Sequence, residues 1–156
     1  MPDLEVLENP KTNLASEVIS SDGKTLGKYY FNDNRTPVTF EELPSHLVDA
    51  LIATEDIRFY SHSGIDFKRT VAAAIKLGKD GGGSTITQQL AKLLFTGEGS
   101  RDIIERLTQK FKEYIIAVRL ERHYTKNEII TQYLNLYDFG NNGDGIRSAA
   151  RIYFGK

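Results

Sequence analysis

One glutamate in the sequence lies among apolar residues at helical spacing. The residues of this stripe are Val48, Ile52, Glu55 and Phe59. A carboxylate in apolar surroundings holds a proton more readily than one in water, so it suits general acid or base chemistry near neutral pH. The stripe therefore makes Glu55 a candidate acid or base. The alternative is a structural glutamate that pairs with Arg58 or His62 along the same helix edge.

A glycine-rich segment at residues 81–83 precedes a helix that is predicted to begin at Ser84 or Thr85. Glycines let the backbone approach a ligand closely, and a helix N-terminus presents unpaired N–H groups with partial positive charge. The polar face of this helix carries Gln88, Gln89 and Lys92. The arrangement predicts a site for a phosphate or a polyhydroxylated group. The alternative is a flexible linker before an ordinary capped helix.

A third candidate group lies on a later helix, where Arg106, Lys110 and Glu113 share one face. In a cleft, the two cations would bind an anionic group while Glu113 orients a lysine or a sugar hydroxyl. The alternative is a set of surface ion pairs, each contributing ~0–1 kcal/mol to stability.

Capping patterns and apolar spacing predict a mainly α chain that positions these groups. Two strand-like runs, 15–20 and 24–31, flank an Asp-Gly turn and predict a hairpin. Capping boxes are predicted at Thr39, Thr85 and Thr125, and Pro44 limits the first of these helices to about one turn. The other predicted helices cover 46–59, 66–77, a segment from 84 or 85 to before 97, 102–122, 125 to about 137, and 146–154. The apolar face of the long fourth helix would consist of Ile104, Leu107, Phe111, Ile115 and Val118.

Composition narrows the class of protein. The chain has 156 residues, 40% apolar and 26% charged, with a formal net charge of −1 and no cysteine. This length suits one compact domain, and no apolar run approaches the ~20 residues of a membrane-spanning helix. The net charge argues against nucleic-acid binding, and the lack of cysteine excludes a thiol nucleophile. Residues 92–126 carry eight Lys/Arg against five Asp/Glu, which indicates an anionic ligand at one site.

In their order along the chain, these segments resemble the motifs of peptidoglycan glycosyltransferase family 51. This is the transglycosylase domain of class A penicillin-binding proteins and of monofunctional peptidoglycan transglycosylases. The resemblance runs from about residue 15 to the end, through the segments 55–64, 82–92, 110–113, 124–130 with 133–135, 145–146 and 153–156. Three features depart from the family pattern. Gln109 stands where an arginine is usual, Leu93 stands where an asparagine is common, and the connection from 67 to 81 is short.

The resemblance implies a mainly α, lysozyme-like helical domain with a small N-terminal β-hairpin. Residues 1–14 would be an extended lead-in following a missing membrane anchor, and residues 15–156 the glycosyltransferase domain, truncated at its C-terminus. The implied activity is polymerisation of lipid II into β-1,4-linked glycan strands, with inversion at MurNAc C1 and release of polyprenyl diphosphate. This trimmed chain is expected to be poorly active.

The resemblance also implies roles for particular residues. Glu55 would be the general base and Glu113 a second catalytic residue that positions the lysines or the donor. The implied substrate-binding residues are Asp56, Phe59, His62, Gly83, Ser84, Thr85, Gln88, Gln89, Lys92, Arg106 and Lys110. Because Gln109 replaces the usual arginine, Arg101 or Arg106 would contact the donor diphosphate.

The implied partners are lipid II, the growing glycan chain, the membrane surface and moenomycin-type inhibitors, with a linked transpeptidase domain in the full-length protein. The implied location is the outer face of the bacterial inner membrane. No cofactor is obligatory, although a divalent cation such as Mg²⁺ could bridge the diphosphate and Glu113, and no protein metal site is predicted. Two alternatives stay open: a lysozyme-like glycan hydrolase or lytic transglycosylase, and an inactive module that binds a lipid head group or a partner.

Overall fold

The computed structural model describes residues 16–29, 35–75, 83–97 and 102–155. Within these ranges the chain forms two strands, β1 (Ser16–Ile19) and β2 (Thr25–Tyr29), followed by six α-helices. The helices are α1 (Ser45–Glu55), α2 (Phe67–Ile75), α3 (Ile86–Ala91), α4 (Ile103–His123), α5 (Lys126–Leu136) and α6 (Ile146–Phe154). The predicted mainly α, lysozyme-like class with a small N-terminal hairpin is confirmed.

The two strands pair antiparallel, with Ser16 opposite Tyr29 and an irregularity in register between Val18 and Ile19. The predicted Asp-Gly turn connects them, and Gly23 adopts a positive φ of 80° there. The extended lead-in predicted for residues 1–14 lies outside the described residues.

Capping boxes set where three helical segments begin. The side chains of Thr85 and Thr125 each accept a hydrogen bond from a backbone N–H of the helix that follows, as predicted. At Thr39 the Glu42 carboxylate closes the capping box by accepting a hydrogen bond from the Thr39 backbone N–H at 2.8 Å. At α5, the backbone N–H and the hydroxyl of Thr125 lower the pKa of the Glu128 carboxyl, because both donate hydrogen bonds to its charged form. After Thr39 the segment is a single 3₁₀ turn, Phe40–Glu42, which ends before Pro44.

Helix α3 lies at the centre of the core and packs against both α4 and α5. This helix has only six residues, and burial stabilises it because most of them are inaccessible to solvent. The largest fully buried apolar side chains are Phe59, Ile86, Leu90, Ile116, Leu120, Ile129 and Ile130. Helix α3 thus carries its polar side chains at a fixed depth between two longer helices.

The prediction of a helix through Phe59 is wrong at its C-terminal end. Helix α1 ends at Glu55, because Asp56 has φ −158° and ψ 71° and leaves the helix. Phe59 begins a 3₁₀ turn instead, with its side chain fully buried. Glu55 therefore lies at the end of a helix rather than within a continuous apolar stripe.

Most of the apolar face predicted for the long helix is exposed to solvent. Ile104 is 75% exposed and Phe111 67% exposed. The face that α4 turns to the core consists instead of Glu113, Ile116, Ala117 and Leu120. Among the described residues, none of the helices combines the length and the hydrophobicity needed to cross a bilayer.

Candidate active site

A cleft of about 610 Å³ opens where the end of α1 meets α2, α3 and α4. Its walls include seven of the residues predicted for the site: Glu55, Ser84, Gln88, Gln89, Lys92, Lys110 and Glu113. These residues come from three separate segments of the sequence. The fold therefore brings the three candidate groups together in one cavity.

The carboxylate of Glu55 is held by a chain of hydrogen bonds. Its Oε2 accepts a hydrogen bond from Nε2 of Gln89 at 2.8 Å, and Oε1 of Gln89 accepts one from the Tyr133 hydroxyl at 3.0 Å. Burial raises the pKa of Tyr133, and the nearby Tyr137 and Glu55 raise it further, so the phenol stays protonated and donates. This donation fixes which way the Gln89 amide points. Its N–H₂ group consequently faces Glu55.

The alternative pairing of Glu55 with Arg58 or His62 is not found. Arg58 binds Asp66 through two hydrogen bonds, Nε to Oδ2 at 2.8 Å and Nη2 to Oδ1 at 2.6 Å. Burial alone would raise the pKa of Asp66, but the backbone N–H of Arg69 and the guanidinium of Arg58 lower it overall. Arg58 is therefore engaged with Asp66, and the ring of His62 contacts Asp56 instead of Glu55.

Asp56 ties the end of α1 to the start of α3. It is fully buried, and its Oδ2 accepts a hydrogen bond from the Ile86 backbone N–H at 3.1 Å. Nε2 of His62 lies 3.0 Å from the same oxygen. The pair holds Glu55, the residue before Asp56, at a fixed distance from Gln89 on α3.

The loop that follows the 3₁₀ turn at Phe59 is hydrogen-bonded to the N-terminal cap of α3. The Gly64 carbonyl accepts hydrogen bonds from Thr85 Oγ1 at 2.7 Å and from Gln88 Nε2 at 3.3 Å. Gly64 has φ +88°, and a Cβ there would lie 2.8 Å from backbone atoms of Ala117. Only glycine fits this close approach to α4.

Three of the backbone N–H groups at the start of α3 already have protein partners. Those of Thr85, Ile86 and Gln88 donate to Gln88, Asp56 and Thr85 respectively. These three groups are therefore engaged within the protein, and binding of a phosphate by the rest of the glycine-rich helix start stays a prediction.

On the α4 wall, Lys110 bridges two parts of the cleft. Its Nζ lies 2.6 Å from Glu113 Oε2 and donates to Ser84 Oγ at 2.7 Å. Glu113 is only 3% exposed, so the lysine compensates a buried charge. Lys110 joins α4 to the segment before α3, and its side chain stays 40% exposed toward the cleft.

Lys92 stands where the helical geometry changes. Helix α3 ends at Ala91, and residues Lys92–Thr96 form a π-helical turn. Short π segments are rare and are often found at functional sites. The side chain of Lys92 is exposed in the cleft wall, and within the described ranges it forms no ion pair.

Several predicted substrate-binding residues do not line the cleft. Asp56, Phe59, His62 and Thr85 are packed behind its walls, and Gly83 lies just before the cap. Arg106 is exposed on α4 and is also outside the lining. Their roles in substrate binding stay predictions, although the first four have clear structural contacts. Arg101 lies outside the described residues.

The cleft also contains residues that were not predicted as site residues, namely Thr54, Arg69, Leu93 and Tyr137. Nη1 of Arg69 donates to the backbone carbonyl of Glu55. No motif or spacing connects α2 with the end of α1, so this contact follows only from the fold.

No group of three or more His, Asp or Glu side chains gathers as a metal site within the part of the chain that the structure describes. A cation at Glu113 would lie beside the ammonium of Lys110, which already occupies Oε2. The divalent cation therefore stays a prediction.

Together, fold and cleft define a mainly α domain in which a helix-terminal carboxylate shares one cavity with two lysines, an arrangement suited to chemistry on an anionic substrate. The chain belongs to the transglycosylase family, since the family model described as Transglycosylase matches residues 22–156.

Curated relatives are penicillin-binding proteins. The chain is 38% identical to penicillin-binding protein 1A of Pseudomonas aeruginosa, over all of this chain and 19% of that protein. It is also 38% identical to penicillin-binding protein 1A of Escherichia coli, over all of this chain and 18% of that protein. Penicillin-binding protein 1F of Bacillus subtilis is 40% identical over 91% of this chain and 20% of its own length. The chain thus spans about a fifth of the length of these relatives.

Proposed function

We propose that this domain is a peptidoglycan glycosyltransferase that polymerises lipid II into β-1,4-linked glycan strands. The observation that carries the proposal is the shared cleft: Glu55 lies in one wall, and Lys110 with Glu113 in another. Membership of the transglycosylase family and similarity to penicillin-binding proteins support the same chemistry.

In the proposed reaction, Glu55 is the general base. It takes the proton from the 4-hydroxyl of the acceptor GlcNAc while that oxygen attacks C1 of the donor MurNAc. The bond from C1 to the diphosphate oxygen breaks, and its electrons leave with polyprenyl diphosphate. A single displacement inverts the anomeric carbon. The Gln89 amide donates to Oε2 of Glu55 at 2.8 Å and so holds this carboxylate in position for the proton transfer.

The leaving group explains why the other wall is cationic. Diphosphate departs as a stable anion, so the site needs charge stabilisation rather than a proton donor. We assign this role to Lys92 and Lys110. Glu113 holds the Lys110 ammonium at 2.6 Å and so fixes its position in the cleft.

The cellular location and the partners of the enzyme follow from the same proposal. Lipid II lies in a membrane, and the exposed apolar side chains of α4 are suited to contact its surface. We place the domain at the outer face of the bacterial inner membrane, linked to a transpeptidase domain in the full-length protein and open to moenomycin-type inhibitors.

A lysozyme-like hydrolase or lytic transglycosylase is the second candidate function. It would need a carboxylic acid to protonate the leaving oxygen. Glu113, the second carboxylate of the cleft, is instead paired with the Lys110 ammonium at 2.6 Å, so that its Oε2 faces a cation rather than a leaving oxygen. This contact favours the transferase.

The direct test is the substitution Glu55→Gln in a lipid II polymerisation assay. Removing a general base lowers the rate roughly 10²–10⁴-fold, while lipid II binding is expected to persist because Gln keeps the shape. Glu41→Gln is the matched control, since Glu41 is exposed and lies outside the cleft.

Normal polymerisation by the Glu55→Gln variant would contradict the assignment of the base. Release of new reducing ends from finished peptidoglycan by the unmodified protein would favour the hydrolase. Binding of lipid II without any turnover would favour the non-catalytic module.

A further inference from the structure

The third motif contributes no guanidinium to the cleft. Gln109 stands where the resemblance leads one to expect an arginine, and its amide donates to the carbonyls of Thr96 and Gly97 at 3.5 and 3.3 Å. Arg106, the substitute proposed from the sequence, lies outside the cleft lining. Within the described residues, an arginine that serves this cleft must therefore lie on another element.

Arg69 on α2 is the arginine that lines the cleft within the described ranges. One N–H of its guanidinium donates to the Glu55 carbonyl, which fixes the head group beside the predicted base. An arginine has several further N–H donors in a planar fork. No carboxylate pairs with the Arg69 guanidinium among the residues that the structure describes, so its charge is not neutralised within this part of the chain.

The lysines of the cleft are less suited than an arginine to donate two parallel hydrogen bonds to a diphosphate. Lys110 shares its charge with Glu113 and donates to Ser84. Lys92 is a point charge on a flexible stem. A guanidinium can donate two parallel hydrogen bonds to phosphate oxygens, and such charge-assisted pairs are stronger and more directional.

We propose that Arg69 binds the substrate's diphosphate in the cleft and so takes the place of the arginine missing at position 109. This inference rests on the proposed function for its substrate, but its first test is a binding measurement. Because the diphosphate leaves from the carbon that the acceptor attacks, it lies within a few bonds of the proton that Glu55 removes. A cation tethered to the Glu55 backbone is therefore in reach of it.

The test compares Arg69→Met, Arg69→Lys and Lys68→Met with the unmodified intact protein. Geranyl diphosphate serves as a soluble polyprenyl diphosphate, and its affinity is measured by calorimetry at two salt concentrations. Lys68→Met is the matched control, because Lys68 is the preceding residue of the same helix and is exposed outside the cleft.

Arg69→Met is expected to weaken geranyl diphosphate binding roughly 10–100-fold, in line with the loss of a charged hydrogen bond, and to reduce its salt dependence. Arg69→Lys should recover part of the affinity, and Lys68→Met should match the unmodified protein. In the polymerisation assay, Arg69→Met should raise KM for lipid II more than it lowers kcat.

Thermal unfolding separates binding from folding, since Arg69→Lys keeps a donor for the Glu55 carbonyl. Unchanged affinity in Arg69→Met, or no diphosphate binding by the unmodified protein, would overturn the proposal for Arg69. Diphosphate binding that depends on Arg69 without polymerisation would instead support it and contradict the proposed function. Polymerisation with normal affinity in Arg69→Met would do the reverse.

Discussion

At the residue scale, the position of the predicted base depends on a hydrogen-bond chain that starts in the core. The Tyr133 hydroxyl donates to Gln89, and Gln89 donates to Glu55. The direction of the chain is fixed because the protonated phenol donates to the amide oxygen, which leaves the amide N–H₂ to donate to the carboxylate. Tyr133 is 3% exposed, so its hydroxyl reaches Gln89 from inside the core. It acts on Glu55 only through Gln89.

Tyr133→Phe should therefore lower kcat about 3–10-fold and leave KM for lipid II nearly unchanged. The reason is that Oε1 of Gln89, which is partly buried, loses its hydrogen-bond donor, and such a bond contributes about 0.5–1.5 kcal/mol. Part of that energy is recovered when the amide turns, which loosens its hold on Glu55. Steady-state polymerisation kinetics measure the effect.

Tyr153→Phe is the control for this prediction. It removes a phenol that donates to the Phe139 carbonyl at 2.9 Å, outside the cleft. Equal losses of kcat in the two variants would show that a general loss of stability, rather than Glu55 positioning, explains the result.

At the element scale, the cleft exists because the loop after the buried aromatic turn is packed directly against α4. Gly64 makes this approach, and its carbonyl in turn accepts the hydrogen bonds of the α3 cap. The same few atoms therefore set the distance between the wall with Glu55 and the wall with Lys110.

Gly64→Ala is expected to destabilise the fold by about 2–5 kcal/mol, from a strained positive φ and from overpacking against the helix backbone. Gly155→Ala provides the control, because Gly155 has φ +67° and no atom within 4 Å of an added Cβ. The difference in free energy of unfolding, measured with chemical denaturant, isolates the close contact. A difference near zero would mean that the loop can move away from α4 at little cost.

The elements that the sequence predicted best are those with local signals. The capping boxes at Thr85 and Thr125 lie at the observed helix starts, because a cap is formed by residues a few positions apart. The end of α1 was missed because Asp56 leaves the helix and accepts a hydrogen bond from the backbone N–H of Ile86 in α3, thirty positions later. Apolar spacing on α4 marked a helix correctly but not the face that it buries, which Glu113 occupies.

The residues of the candidate site also divide into those with a local sequence signal and those that only the fold places. Glu55, Gln89 and Lys110 were recognisable from their own segments, and the fold brings them into one cavity. The contact of Arg69 with the Glu55 carbonyl was not recognisable from the sequence. Every residue has a backbone carbonyl, so the residue types do not indicate which one accepts the hydrogen bond. Arg106 was selected by helical spacing and as a substitute for the arginine missing at position 109, and neither argument gives the direction in which its helix face points.

At the scale of the whole molecule, one side of α4 presents an apolar surface that no other described element covers. Its exposed side chains are Ile103, Ile104, Leu107, Phe111 and Ile115. A continuous patch of this kind on a small domain indicates a surface that another phase or partner covers. Because the same helix supplies Lys110 and Glu113 to the cleft, a membrane bound along this face would bring a lipid-linked substrate close to the site.

Replacing both Ile104 and Phe111 by Ser should therefore weaken binding of this chain to vesicles of phosphatidylethanolamine and phosphatidylglycerol roughly 30–1,000-fold. The estimate takes about 1–2 kcal/mol for each large apolar side chain that leaves the lipid. Folding should be unaffected, since both residues are more than half exposed. Leu26→Ser is the control, because Leu26 is 70% exposed on the hairpin. Vesicle sedimentation measures the partition, and equal binding by the double variant and the unmodified chain would show that α4 does not meet the membrane.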